Sequence, residues 1–209
     1  MDIEAVIFDM DGTLWDSAKS VAAAWSRVVS GIEDLNITVT ESKVRGVMGL
    51  PMDEIAAKLF ATGDEALDNE IMNRCGDYEN VYLRRHGGVL YDGLEETLAA
   101  LAKKYKLFIV SNCQSGYIEA FLDYYGFARY FTDFTCWGDN KVSKDGNIKL
   151  ICERNGVAAK AAVYVGDTQG DCVSAYRAGT RFAFAAYGFG EADRYDIILN
   201  SITDLINVL

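Results

Sequence analysis

Ile3-Glu4-Ala5-Val6-Ile7-Phe8-Asp9-Met10-Asp11-Gly12-Thr13-Leu14 is the stretch that decides the fold. Its apolar residues, interrupted only by Glu4, stop abruptly at two aspartates and a glycine. A short apolar run bounded in this way reads as a strand buried on both faces of a parallel sheet. Open α/β sheets build their sites at the carboxyl ends of strands, where Asp9 and Asp11 stand. Side chains two apart on an extended backbone share a side. Asp9 and Asp11 are therefore expected to converge on one small volume and to repel unless a cation, a proton or a donor separates them. A simple turn would account for Asp-Gly alone, but not for a whole apolar strand ending in Asp-x-Asp-Gly-Thr.

Beyond Leu14 the hydrophobic period changes. Ala18, Val21, Ala22, Trp25, Val28, Val29 and Ile32 recur at three and four, which predicts an amphipathic helix. Asp16 or Ser17 is its expected N-cap and Gly31 and Asn36 its end. A shorter helix is expected over residues 52–61. A long one is expected over 64–85, with Leu67, Ile71, Met72, Cys75, Tyr78, Val81 and Tyr82 on one face. No strand is expected from Ser17 to Gly88, so residues 17–87 read as a helical insertion. Strand–helix alternation then resumes. Strands are expected at 107–110, 130–136, 161–165 and 182–185, with Ser115 capping the helix after the first of these. A polar loop is expected over 138–146 and a last short helix over 201–209. This rhythm implies a parallel sheet with helices on both faces, joined by right-handed crossovers.

Composition narrows the function classes. The chain has 209 residues, half of them hydrophobic, enough for one domain plus an insertion. Its 31 acids against 20 bases give a net charge of −11, which disfavours nucleic acid and anionic membranes as partners. The opening Met-Asp-Ile-Glu lacks the basic segment of a signal peptide, and no apolar run reaches transmembrane length. Five scattered cysteines, none in a Cys-x-x-Cys pair, suit reduced thiols and a cytoplasmic location. The single histidine, His86, is assigned no role.

Three strand ends carry polar clusters: Asp9/Asp11, Ser111/Asn112 and Asp167/Asp171. Asp9 and Asp167 could bind a hard divalent ion such as Mg²⁺. Asp171 could ligate or orient that ion, or simply favour a helix N-terminus. The Ser111 hydroxyl and the backbone N–H groups beyond it suit an anionic oxygen such as phosphate. A positive charge is needed among so many acids, and Lys141 and Lys144 lie in the polar loop that could supply it.

Together, Asp9-Met10-Asp11-Gly12-Thr13-Leu14, Ile109-Val110-Ser111-Asn112, the lysine loop and Val165-Gly166-Asp167-Thr168-Gln169-Gly170-Asp171 resemble, in order, the four motifs of the haloacid dehalogenase-like hydrolases. The likeness is to the branch with a small helical cap, which contains phosphoglycolate phosphatases and β-phosphoglucomutase. It covers essentially the whole chain. It implies a Rossmann-like core at 1–16 and 88–209 and a cap at 17–87. It implies a Mg²⁺-dependent phosphatase acting on a small-molecule phosphate ester. In that reading Asp9 is the nucleophile that becomes an aspartyl-phosphate, and Asp11 is the general acid and base. Ser111, Asn112 and a lysine hold the phosphate. Asp9, Asp11 through its backbone carbonyl, and Asp167 hold the metal, with Asp171 close by. The third motif departs from the commoner Lys-Pro; Ser143-Lys144-Asp145-Gly146-Asn147 matches a variant that favours Lys144 over Lys141.

Two other readings compete. A phosphosugar mutase would carry an arginine after Gly-x-Ser in the cap, where this chain has Gly49-Leu50-Pro51-Met52. A phospho-signalling receiver module would accept phosphate on a later strand and has no long helical block after the first. Asp11 favours phosphate-ester chemistry over dehalogenation, because an alkoxide leaving group needs a proton. Lys43 and Arg45 lie in the cap, where they could meet an anionic substrate, and Trp15 could wall the pocket. The number of subunits stays open at this stage.

Overall fold

A computed structural model describes residues 2–33, 35 and 37–209. Asn36, expected to end the first helix, lies outside them. β1 (Ala5–Phe8) is buried throughout. A tight turn leads to the two-residue β2 (Trp15–Asp16), and four helices follow: α1 (Ala18–Val29), α2 (Glu41–Arg45), α3 (Met52–Leu59) and α4 (Glu65–His86). The chain returns through β3 (Val89–Leu90), which pairs antiparallel with β2. Both crossings between the helical block and the sheet therefore lie in one small ribbon.

The core then alternates. It comprises α5 (Leu94–Leu101), β4 (Lys106–Ser111), α6 (Tyr117–Tyr125), β5 (Asp133–Cys136), α7 (Trp137–Asn140) and α8 (Lys144–Arg154). After these come β6 (Ala162–Gly166), α9 (Gln169–Ala178), β7 (Arg181–Ala185), β8 (Ile197–Leu199) and α10 (Leu205–Val208). The sheet order is β5-β4-β1-β6-β7-β8 with every pair parallel. It is a Rossmann-like sheet with a small helical cap inserted after its first strand.

Alternation along the central strands feeds two cores. Val6, Phe8, Leu107, Ile109, Val163 and Val165 face α5 and α6. Ala5, Ile7, Phe108, Val110, Ala162 and Tyr164 face α8 and α9, whose Ile148, Ile151, Cys172 and Ala175 cover them. In the register of the sheet Phe8 is level with Ile109 and Val165. Asp9, Ser111 and Asp167 therefore emerge side by side along one edge. Among the described residues no helix is long and apolar enough to cross a membrane.

Several expectations shift. Ser115 does not cap α6; Gly116 does, in a left-handed conformation. Residues 138–146 are not a loop, because α7 and the first turn of α8 occupy most of them. β8 had no sequence signal, since three residues with one fully buried side chain are too short to show a period. On α4 the expected stripe is partly wrong: Val81 is exposed, whereas Glu79 and Asn80 are buried with Leu83. Apolar periodicity cannot register a helix face that buries polar groups.

Candidate active site

Asp9 follows β1 and is buried. Lys144, the first residue of α8, lies beneath it, with Nζ 3.1 Å from Asp9 Oδ1 and 2.6 Å from Asp171 Oδ1. A cation is disfavoured at a helix N-terminus by the helix dipole. The two carboxylates decide this placement, and they hold the Lys144 pKa above its usual range although burial alone would lower it. The contact with Asp9 is an ion pair without hydrogen-bond geometry, so Asp9 Oδ1 has no hydrogen-bond partner. Lys141 is not brought to the aspartates; it ends α7 in a left-handed conformation with Nζ 3.6 Å from the Trp137 ring centroid.

Asp171 closes the other side of the cluster. Its Oδ2 accepts from Thr168 N (3.0 Å) and Thr168 Oγ1 (2.7 Å) in the capping box that starts α9. Both of its oxygens are thus engaged, one by the cap and one by Lys144. Asp167 is fully buried. Its Oδ2 accepts the Phe189 N–H at 2.8 Å, from a loop after β7 that carried no sequence signal. Gly12 and Gly188 pack against the same carboxylate: a Cβ on either would overlap Asp167. Gly12 also has φ +79°, which disfavours any side chain. Gly12→Ala is expected to cost about 2–4 kcal/mol from backbone strain plus overlap, read as a lower Tm.

Asp11 is near enough to Asp9 for its charge to raise the Asp9 pKa, but its carboxylate has donors of its own. The strand ends at Phe8, the chain turns, and Asp11 Oδ1 accepts from Ser17 Oγ (2.5 Å) and Tyr117 OH (2.6 Å). Ser17 is the N-cap residue of α1, as expected, but its hydroxyl serves Asp11, and Asp16 Oδ1 accepts the Ala18 N–H. Tyr117 was not foreseen, since a tyrosine on an amphipathic helix reads as packing. Burial raises the Asp11 pKa despite the Ser17 and Tyr117 hydrogen bonds.

Ser111 is buried at the end of β4 and lines a cavity of about 30 Å³ between sheet edge and cap. Asn112 lines it too, but donates its Nδ2 to the Gly49 carbonyl of the cap at 2.9 Å. Trp15 does not wall this cavity; it is fully buried against Tyr117, Phe121 and Tyr125. Arg45 is held by Asp16 and Glu41 and lies over the Phe189 ring. Lys43 is exposed and donates to the Thr38 carbonyl.

Asp9, Asp167 and Asp171 can each offer an oxygen such that all three lie within 4.8 Å of one another. Burial, compounded by the mutual repulsion of these carboxylates, raises the pKa of both Asp9 and Asp167. Three hard oxygen donors, strongly underneutralised by one lysine and including an oxygen without a partner, fit a divalent ion such as Mg²⁺.

The cap contributes one more buried acid. Glu79 of α4 accepts the Trp25 indole N–H at 2.6 Å, and burial pushes its pKa up to about 8. Asp11, Tyr117, Gln114 and Cys75 surround it. An acid whose folded pKa is raised binds a proton more tightly when folded, so its contribution is full at low pH and is lost as pH climbs through about 8. Glu79→Gln is expected to match the wild type in Tm near pH 5 and to exceed it by a few degrees above pH 8. Melting curves across that range check this.

The haloacid dehalogenase-like hydrolase family model matches residues 6–185. Phosphoglycolate phosphatase of Vibrio parahaemolyticus is 27% identical over 223 residues, covering 100% of this chain and 96% of the relative. The Escherichia coli K12 phosphoglycolate phosphatase is 28% identical over 235 residues, covering 100% and 93%. A crystallised haloacid dehalogenase-like family hydrolase from Streptococcus pneumoniae superposes with a TM-score of 0.83 at 20% identity, covering 98% of this chain and 97% of the other, and shares the fold. With its family match spanning the cap and all four motif-bearing segments, the chain belongs to the haloacid dehalogenase-like hydrolases.

Proposed function

We infer that the chain is a Mg²⁺-dependent phosphatase that hydrolyses a small phosphorylated metabolite through an aspartyl-phosphate on Asp9. The observation that carries this reading is the buried Asp9–Lys144–Asp171 arrangement beside Asp167, at the same sheet edge where Ser111 and Asp11 line a cavity under the cap. Asp9 attacks phosphorus and the bond to the leaving oxygen breaks. Asp11, whose pKa burial raises, gives a proton to that oxygen. Asp11 then takes a proton from water, which attacks the aspartyl-phosphate and regenerates Asp9. Lys144 and Ser111 hold the equatorial phosphoryl oxygens where charge accumulates. Asp9, Asp167 and the Asp11 carbonyl would hold Mg²⁺, which would supply further charge neutralisation when bound. Asp171 positions Lys144.

In the present arrangement the cavity admits a water molecule or two. Residues 17–87 accordingly act as a cap that opens about the β2–β3 ribbon over a core formed by 1–16 and 88–209. The names of the relatives make phosphoglycolate the first ester to assay. The test is phosphate release from a panel of metabolite esters with Mg²⁺ or with EDTA. Release that depends on Mg²⁺ and is absent in Asp9→Asn is expected; release indifferent to both would overturn the reading.

A further inference from the structure

The cavity lined by Asp11 and Ser111 has two walls of different origin. Asp11, Ser111 and Tyr117 come from the core side, and Glu79 and Trp25 from the cap. Glu79 is 2% exposed yet lines this cavity, and it is fixed there from several directions. Trp25 donates to its Oε2. The neighbouring Asn80 donates to the Ser115 carbonyl at 2.8 Å and accepts from Gln114 at 3.1 Å, which ties this turn of α4 to the loop after β4.

No side chain lining the cavity is a cation. Lys144 lies outside that lining, paired with Asp9 and Asp171. Arg45 is spent on Asp16 and Glu41 outside it. A phosphate ester with phosphorus at Asp9 and its leaving oxygen at Asp11 would extend the rest of that alcohol toward Glu79.

We propose that Glu79 selects the substrate of this phosphatase: it accepts a hydrogen bond from a hydroxyl or ammonium group on the leaving alcohol and disfavours a leaving group that carries a carboxylate. The proposal rests on the phosphatase reading above and narrows it. Ionised or protonated, the Glu79 carboxyl group keeps an acceptor lone pair beyond the one that Trp25 uses. A bound donor satisfies a buried acceptor that closure removes from water, whereas a bound carboxylate would be desolvated in a cavity whose lining carries no cation. Phosphoglycolate is a substrate of that second kind, so this cavity differs in chemistry from what the relatives' name suggests.

The experiment uses the full chain with Mg²⁺ and four esters: phenyl phosphate, glycerol phosphate, phosphoethanolamine and phosphoglycolate. Phenyl phosphate has neither donor nor charge on its leaving group and reports the phosphatase chemistry alone. For the wild type, kcat/KM for glycerol phosphate or phosphoethanolamine is expected to exceed that for phosphoglycolate by about tenfold or more. Glu79→Met, which keeps the length and removes the acceptor, is expected to erase most of that advantage while changing phenyl phosphate by less than about threefold. Glu79→Gln keeps a neutral acceptor and its volume, so it remains informative where Met perturbs folding. It preserves a preference for hydroxyls and loses one for ammonium, which separates the two donors. Phosphoglycolate turned over as well as the donor-bearing esters, or an equal fall for all four esters in a folded Glu79 variant, would overturn the proposal. No Mg²⁺-dependent release from any ester, phenyl phosphate included, would remove the phosphatase reading and this proposal with it.

Discussion

Asp9→Asn is expected to lower phosphate release by roughly 10³-fold or more, because in the proposed mechanism it removes the nucleophile itself. The same substitution is expected not to lower Tm in metal-free buffer. Asp9 places a buried negative charge beside Asp167 and Asp171, and its Oδ1 lacks a hydrogen-bond partner. An amide of the same shape removes that repulsion, while Lys144 keeps its 2.6 Å contact with Asp171. Loss of turnover with stability kept or raised is the signature of a site whose charges serve chemistry rather than folding. The rise in Tm that Mg²⁺ gives the wild type should shrink in this variant. Thermal melts with and without Mg²⁺, beside a phosphate-release assay, check all three expectations. A large loss of Tm in metal-free buffer would show that Asp9 is held for folding.

Lys144→Met carries the second large effect, with the opposite sign for stability. The side-chain stem is kept, so the loss is that of the charge. Three buried carboxylates then face one another without a cation. Removing one partner of a buried pair costs about 3–5 kcal/mol, since the remaining charges stay out of water. In a chain of this length that corresponds to a fall in Tm on the order of 10 °C. The deficit should be larger at pH 8 than at pH 5. Without Lys144 the folded carboxylates hold protons more tightly, so the variant loses stability as pH rises through their pKa values. Mg²⁺ should recover part of the loss by supplying charge to the same cluster. Activity should fall too, because the phosphoryl oxygens lose their ammonium partner. A Tm within a degree or two of wild type would refute the central structural role of Lys144.

Much of this architecture was legible because parallel strands buried on both faces leave continuous apolar runs. The segments around Val6, Ile109, Val163 and Ala183 all read as strands for that reason. Three of these runs also stop at polar residues, and register alone then brings Asp9, Ser111 and Asp167 to one edge. What escaped has equally physical causes. Tyr117 and Glu79 lie on helices whose inward faces are partly polar, so apolar periodicity conceals them. The Phe189 N–H acts through its backbone, which no residue type advertises.

By itself the sequence determined the sheet, the inserted helical block and the acids at the strand ends, because those depend on local pattern and on strand polarity. Only the tertiary structure decided how these acids divide. Lys144 rather than Lys141 reaches Asp9 because α8 begins beneath β1 and Asp171 shares the lysine. Asp11 is held by Ser17 and Tyr117 because the strand ends at Phe8 and α6 delivers a hydroxyl to it. Glu79 meets the cavity because α4 folds back across the sheet edge. Each of these depends on groups distant in the chain competing for the same buried oxygen atoms, and that competition exists only once the elements are packed.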